Sequence, residues 1–397
     1  MISEQMNSNK LRSLVVSSNE EFDSILPAWE SFLAHQAEGQ TFWQDPNEIR
    51  LLVEYGDWDA MKVVLLWQGN EIVCVAPCII RPQPFDFRCS VLRFPGPRLR
   101  VLKLLDSNFI FSEGVDSKEC TRIMLEIFRK IKSEFDVVCL ENLEESSSIY
   151  QMYKDKRSVE RVKIQFVTLT AQKSYRHILA PSYDDWIKSI RRKKRNQLRR
   201  CVRVLKKNFS DQIKFIRISE SADVKGFLNS INQIFPKTWQ AKTFGNRQRN
   251  CEKDIIKFTY IAEKGWLRGY LLFVKGNPVC FVLGYQYAGV FEYSEIGYDL
   301  DFSKWSVGNV LNFLMIEDIY NWRKPEVINF GYGDNYYKRL FGNDESNVHR
   351  AYLSCSLLGW WSVRGQVLLN TFEIKIKNFF VKIGIDRFLR KKLKRKM

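Results

Sequence analysis

Phe330-Gly331-Tyr332-Gly333-Asp334-Asn335-Tyr336-Tyr337-Lys338-Arg339-Leu340-Phe341-Gly342 is the stretch on which the fold of this chain turns. A buried-type strand, Val327–Gly331, runs into two glycines, and an acid, tyrosines and two bases follow. Strand ends that splay from an α/β sheet are usual places for ligands. Asp334 is suited to accept a proton and Tyr336 or Tyr337 to donate one. The plainer reading of the same residues is a Gly-rich loop with Asp334 as a helix N-cap.

Upstream, Val290–Tyr298 reads as a strand carrying Tyr293, Glu295 and Tyr298. A polar turn, Asp299–Trp305, leads to Ser306-Val307-Gly308-Asn309, the start of an amphipathic helix over Ser306–Trp322. Free N–H groups at a helix start, with glycine permitting close approach, form an anion site. The competing reading is an ordinary N-cap by Ser306 beside a turn glycine. Further upstream stand a helix over Ala222–Trp239 and a hairpin of Trp266–Val274 and Val279–Tyr287 around Lys275-Gly276-Asn277-Pro278.

The first half follows the same order. Glu20–Ala37 reads as a helix with Pro27 near its first turn. Met61–Trp67 and Glu71–Ile80 form a hairpin around Gln68-Gly69-Asn70. Short strands at Ser90–Phe94 and Asn108–Phe111 precede a helix over Lys118–Glu134 and a strand at Val137–Leu140. Strands, then helix, then strand recur in each half, so the chain reads as a duplication of one unit. A linker is placed in Ser146–Ser182, although Ile164–Leu169 looks like a strand.

Trp186–Asn208 reads as one amphipathic helix whose cations, from Lys188 through Arg191 and Arg195 to Lys207, are interrupted by no acid. A solvated face is one reading. The other is a grip on phosphates: a phosphorylated acceptor, a tRNA backbone or an anionic membrane. Gln366–Met397 mixes apolar residues with bases and ends Arg390-Lys391-Lys392-Leu393-Lys394-Arg395-Lys396. It is either an interfacial helix or a packed helix with a basic tail.

Residues of roughly 185–342 resemble the GNAT-like acyltransferase domain of the CelD and FemAB type, also labelled BioF-like acetyltransferase. The stretches that carry this are Trp186-Ile187-x-Ser189-Ile190 with the basic helix, Lys237-Thr238-Trp239, Gly265-Trp266-Leu267-Arg268, Gly276-Asn277-Pro278-Val279, Ser306-x-Gly308-x-x-Leu311 and Phe330-Gly331-x-Gly333-Asp334-x-x-Tyr337-Lys338-x-x-Phe341-Gly342. The resemblance implies an α/β (α+β) fold of two tandem GNAT-like domains, each a mixed sheet flanked by helices, plus a basic C-terminal helix. Residues 1–170 would be a degenerate first copy, 171–355 the acyltransferase domain and 356–397 the helix. It implies acyl transfer from acyl-coenzyme A, as co-substrate, to an amine, such as an amino sugar or lipid-linked saccharide of a cell-surface polysaccharide. Asp334, Tyr337 and Glu295 would be catalytic. Ser306, Gly308 and Asn309 would hold the donor, and Trp239, Lys338, Arg191 and Arg195 the acceptor. The FemAB branch implies aminoacyl-tRNA as donor and a peptidoglycan precursor as acceptor. A third reading, from another class, is a non-catalytic nucleic-acid-binding protein using the basic helix.

Composition bounds these readings. At 397 residues two domains are expected. With 62 Lys and Arg against 45 Asp and Glu the net charge is +17, which favours anionic partners. Nucleic acid other than tRNA is not expected, since few aromatics interleave with the bases. No apolar run approaches the roughly 20 residues of a membrane span, and the start lacks an apolar signal region. Nine cysteines, none in a Cys-x-x-Cys pair, argue against a disulfide framework or a zinc site. His35, His177 and His349 stand alone in sequence. A cytoplasmic protein without a metal or permanent cofactor is expected, with peripheral contact at the inner membrane face left open.

Overall fold

The computed structural model describes residues 11–35, 37–38, 40–55, 60–89, 92–155, 165–245 and 251–382. By internal packing the chain divides into one unit of residues up to Ala171 together with those from Val348 on, and a second unit, Gln172–Asn347.

In the first unit the sheet runs β1 (Leu11–Val16), β3 (Ala60–Gln68), β4 (Glu71–Pro84), β7 (Arg98–Leu104), β9 (Val137–Glu144) and β16 (Asp344–Ser354), of which Val348–Ser354 pairs with β9. Neighbours are antiparallel except β7 and β9, which are parallel. Two short strands, β2 (Ala37–Glu38) and β8 (Ile110–Ser112), pair with each other, and β8 also pairs with β4. A separate hairpin joins β5 (Phe87–Cys89) to β6 (Leu92–Phe94). The β3–β4 turn needs Gly69, whose φ is +60°. Along β3 the side chains alternate between two cores. Val63 and Leu65 join Phe22, Ile25 and Trp29 of the helix Asn19–His35. Val64 and Leu66 join Met124 and Phe128 of the helix Ser117–Lys130. Pro27 lies inside the first helix, whose start is set earlier, where Glu21 accepts from the backbone of Ser17 and Ser18.

In the second unit the order is β11 (Ile213–Ile218), β12 (Leu267–Val274), β13 (Asn277–Tyr287), β14 (Val290–Tyr298), β15 (Val327–Tyr332) and then β10 (Gln165–Ile178). Here too all neighbours are antiparallel except one pair, β14 and β15. Strand for strand the two orders match, which is the duplication read from the sequence. In each unit the sixth strand is supplied from outside the consecutive run. The crossover between the parallel strands is the helix Val307–Asn321, buried along much of its length because it packs on β12, β13 and β14. The helix Val224–Ile234 covers the opposite face, where the Phe227 ring sits so close to Gly269 that a Cβ there would lie 2.7 Å from it.

Several boundaries differ from the sequence reading. The base-rich segment is two helices, Tyr183–Ser189 and Arg192–Phe209, separated by Ile190 (ψ 128°) and Arg191 (ψ 135°), both outside the helical region. Ala222–Trp239 ends as helix at Ile234, before Pro236, and a short helix follows at Trp239–Phe244. The segment read as a linker, Ser146–Ser182, holds the helix Ser148–Lys154 and all of β10. Val348–Ser354, read as part of the second domain, belongs to the first unit because it pairs with β9. The C-terminal helix spans Leu357–Lys382 and packs on that unit through Val363 and Gln366, while the cluster Arg390–Lys396 lies outside the described residues.

Candidate active site

The parallel strands β14 and β15 pair only through Val290–Glu292 and Val327–Asn329. The last rung is tied by Asn329, whose amide donates to Glu292 at 3.0 Å while its Oδ1 accepts from the Gly331 N–H. Beyond that rung the strands part. Two local features drive them apart. On β14 the register with β13 skips Ser294, a bulge that turns the strand. On β15, Gly331 and Gly333 take φ of +70° and +97°, which steers the chain away.

The opening is a cavity of about 620 Å³, walled by Tyr293, Ser294, Glu295 and Ile296 of β14, Phe330 of β15, and Tyr337 and Lys338 of the short helix Tyr336–Phe341. Phe235, Gln240 and Gly245 close it from the opposite side. A second cavity of about 340 Å³ lies around the start of the Val307–Asn321 helix and is lined by Trp239, Ser306, Gly308, Asn309 and Asn312, among others. Gln240, Ile296 and Tyr337 line both, so the two cavities are neighbours.

The donor-type geometry sits in the second cavity. Ser306 adopts a left-handed conformation (φ +54°) and its side chain makes no capping bond, so the simple N-cap reading fails. Its carbonyl accepts from Val310 N–H. The N–H groups of Val307, Gly308 and Asn309 have no carbonyl one turn back to bond. A Cβ on Gly308 would meet only the Tyr298 ring, at 3.5 Å. Protein packing therefore does not demand glycine there.

Three groups lining this cavity, Lys338, Tyr337 and Tyr293, are shifted by burial. Lys338 is 6% exposed, and its ammonium donates to the Tyr332 carbonyl at 2.5 Å and is pulled down by burial to about 8. Burial raises the phenol of Tyr337, which packs against the rings of Tyr293 and Phe330 and keeps its proton. Tyr293 is raised further by burial, and its hydroxyl donates to Asn312 Oδ1 at 2.8 Å. Gln240 is fixed by a 2.6 Å bond to the Ile296 carbonyl.

A third cavity of about 430 Å³ opens at the start of the Arg192–Phe209 helix. Arg191, Lys194 and Arg339 converge there with His177, and Tyr336 lines both this cavity and the second. Burial and the neighbouring Arg191 lower the Lys194 ammonium. His177 uses Nδ1 on the Phe341 carbonyl at 2.8 Å, and burial disfavours its charged form.

Of the residues singled out in the sequence, Glu295, Tyr337 and Lys338 meet in the first cavity, Ser306, Gly308, Asn309 and Trp239 in the second, and Arg191 in the third. Asp334 and Arg195 line none of them. Asp334 accepts from Tyr175 at 3.0 Å and from Arg339 at 2.8 Å, and it caps no helix. Arg195 donates to the Ile187 carbonyl, holding the end of the preceding helix. Sequence reading missed Gln240 and Asn312, which directly follow the stretches Lys237-Thr238-Trp239 and Ser306-x-Gly308-x-x-Leu311 but are uncharged amides with nothing in their type to single them out.

The first unit also has a parallel pair, β7 and β9, but its own residues fill the gap. Ser107 Oγ accepts from the N–H groups of Glu141 and Asn142, and the buried Gln44 amide donates to the Leu105 and Asn108 carbonyls.

Residues 192–339 match the acetyltransferase (GNAT) domain family. Among solved structures, the chain is similar to FemX, with a TM-score of 0.55 and 12% identity over 86% of this chain and 96% of that one. It is also similar to L-PGS from Bacillus licheniformis, with a TM-score of 0.51 and 13% identity over 89% of this chain and 97% of that one. At such identity the likeness is one of fold. No curated protein matches the chain in sequence.

Proposed function

From the GNAT acyltransferase domain of residues 192–339, we propose that the second unit moves an acyl group from acyl-coenzyme A to a primary amine. The observation that carries this reading is the parting of β14 and β15 beside an uncapped helix start. The donor's phosphates would lie on the N–H groups of Val307–Asn309. Its thioester would reach past Tyr337 into the first cavity. There the Lys338 ammonium faces the carbonyl oxygen and stabilises the negative charge that develops on it. Glu295 takes the proton of the attacking amine. The nitrogen bonds to the acyl carbon, the C–S bond breaks, and Tyr337 gives its proton to the departing thiolate. Asp334 has a positioning role, holding Arg339 and Tyr175.

The acceptor of this reading carries a phosphate, as a lipid-linked or nucleotide-linked amino sugar does. The support is the convergence of Arg191, Lys194 and Arg339 one residue, Tyr336, away from the donor cavity. Titration calorimetry with coenzyme A tests the donor. Micromolar binding is expected, and no binding at millimolar concentration would refute the reading.

A second donor, aminoacyl-tRNA, is favoured by one observation. Arg192, Lys193, Arg199, Arg200, Arg203, Lys206 and Lys207 are exposed on one helix, without an ion pair among the described residues. FemX and L-PGS share the fold. Salt-sensitive tRNA binding together with silence toward coenzyme A would select it.

A further inference from the structure

The helix Leu357–Lys382 has two unlike faces. Gly359, Ser362, Val363 and Gln366 are buried against the first unit, and the Gln366 amide bonds the backbone of Arg88 in both directions. On the other side Leu357 (81% exposed), Trp361 (66%), Leu368 (70%), Phe372 (60%) and Ile376 recur at helical spacing, an apolar stripe left exposed by the described residues of the unit. The β5–β6 hairpin is docked to the same helix, with the Phe87 ring against Gly365. Its Leu92 (58%) and Phe94 are exposed as well. On the same helix and the hairpin or next to them in sequence, Arg88, Arg98, Arg364 and Lys375 are exposed, and Arg93 and Arg100 are exposed but pair with Asp86 and Asp136.

We propose that this helix face and the Leu92–Phe94 hairpin together form a docking surface for an anionic lipid bilayer. Apolar side chains on a helix fixed to the protein by its far face enter the acyl boundary, and the flanking cations stay at the phosphates. No helix among the described residues is long and apolar enough to cross a membrane, so the contact is peripheral. A second copy is the poorer occupant, because each chain carries +17 and would bring like charges together. The inference is independent of the reaction assigned to the second unit.

The test is co-sedimentation of the full chain with vesicles of phosphatidylcholine alone and of phosphatidylcholine mixed with phosphatidylglycerol, in low and in high salt. Strong pelleting with the mixed vesicles, partly retained in high salt, is expected. Leu368→Asp/Phe372→Asp and Leu92→Asp/Phe94→Asp each lower partitioning by about tenfold or more, since each removes two inserted side chains. All four positions are exposed, so folding is preserved, and circular dichroism checks it. Unchanged pelleting of the hairpin variant overturns its part in the surface, and unchanged pelleting of both variants overturns the proposal. A chain that ignores vesicles and is dimeric by light scattering until Leu368 and Phe372 are replaced assigns the face to a second copy instead.

Discussion

The Nζ of Lys338 lies 2.5 Å from the carbonyl oxygen of Tyr332. A neutral carbonyl offsets the burial of an ammonium less than a carboxylate does, which is why this lysine falls to about 8. The arrangement keeps a positive charge inside a cavity that also holds Glu295 and Tyr337.

Turnover should therefore fall as pH rises through about 8, where Lys338 loses its proton. Lys338→Met should flatten that limb and lower kcat about 10²–10³-fold, the scale of losing one oxyanion partner. Stability moves the other way. Between about 8 and the ordinary lysine value of 10.5 the unfolded chain holds a proton that the folded one has released, so this group makes the fold more stable as pH rises across that window. A wild-type rate profile that stays level from pH 7 to about 9.5 would remove Lys338 from the chemistry.

Gly308→Val should weaken coenzyme A binding by about tenfold or more, because the added carbons fall in the donor cavity. The fold should persist, since a Cβ there meets only Tyr298 and valine is a better helix former than glycine. Calorimetry alongside a melting curve separates the two effects, and unchanged affinity in a folded variant moves the donor elsewhere.

Replacing the two candidate carboxylates should give unlike results. Glu295→Gln should cost about 10²–10⁴-fold in turnover as the loss of a general base. Asp334→Asn should change turnover by less than about tenfold, because it removes an exposed pairing with Arg339 and leaves the Oδ1 that accepts from Tyr175 in place. Steady-state kinetics on both variants check this, and the reverse ranking would return the base to Asp334.

Tyr293→Phe should lower stability by about 1–3 kcal/mol, since it strands the buried Asn312 carbonyl that Tyr293 now satisfies. Chemical denaturation measures it. A variant as stable as the parent would show that Asn312 finds another donor.

Arg191→Ala/Lys194→Ala should raise KM for a phosphate-bearing amine while kcat holds within about threefold, the signature of lost uniform binding. An amine without phosphate should be used equally well by both proteins.

Local signals made the hairpins of both units readable. Glycine turns at Gly69 and Gly276, and apolar runs such as Val327–Gly331, specify strands by themselves. The pairing of Val348–Ser354 with β9 was not readable, because chain order assigns it to the neighbouring residues and only tertiary structure returns it to Val137. The break at Ile190 and Arg191 was not readable, because neither residue type opposes a helix and no glycine or proline marks it. In the site, Tyr337, Glu295 and Ser306 announced themselves by type and neighbourhood. Asp334 did so equally well, and only its bonds to Tyr175 and Arg339 explain its presence otherwise.

The sixth strand of the first unit has a bearing on how the protein is made. During synthesis β9 leaves the ribosome with its outer edge bare, and the segment that covers it, Val348–Ser354, emerges about two hundred residues later, roughly 10–40 s at ordinary elongation rates. Throughout that interval a strand of Val137, Val138, Cys139 and Leu140 offers unpaired backbone to any passing edge. The nascent chain is thus a client for chaperones at a predictable stage, and a product released before Val348 should enter inclusion bodies.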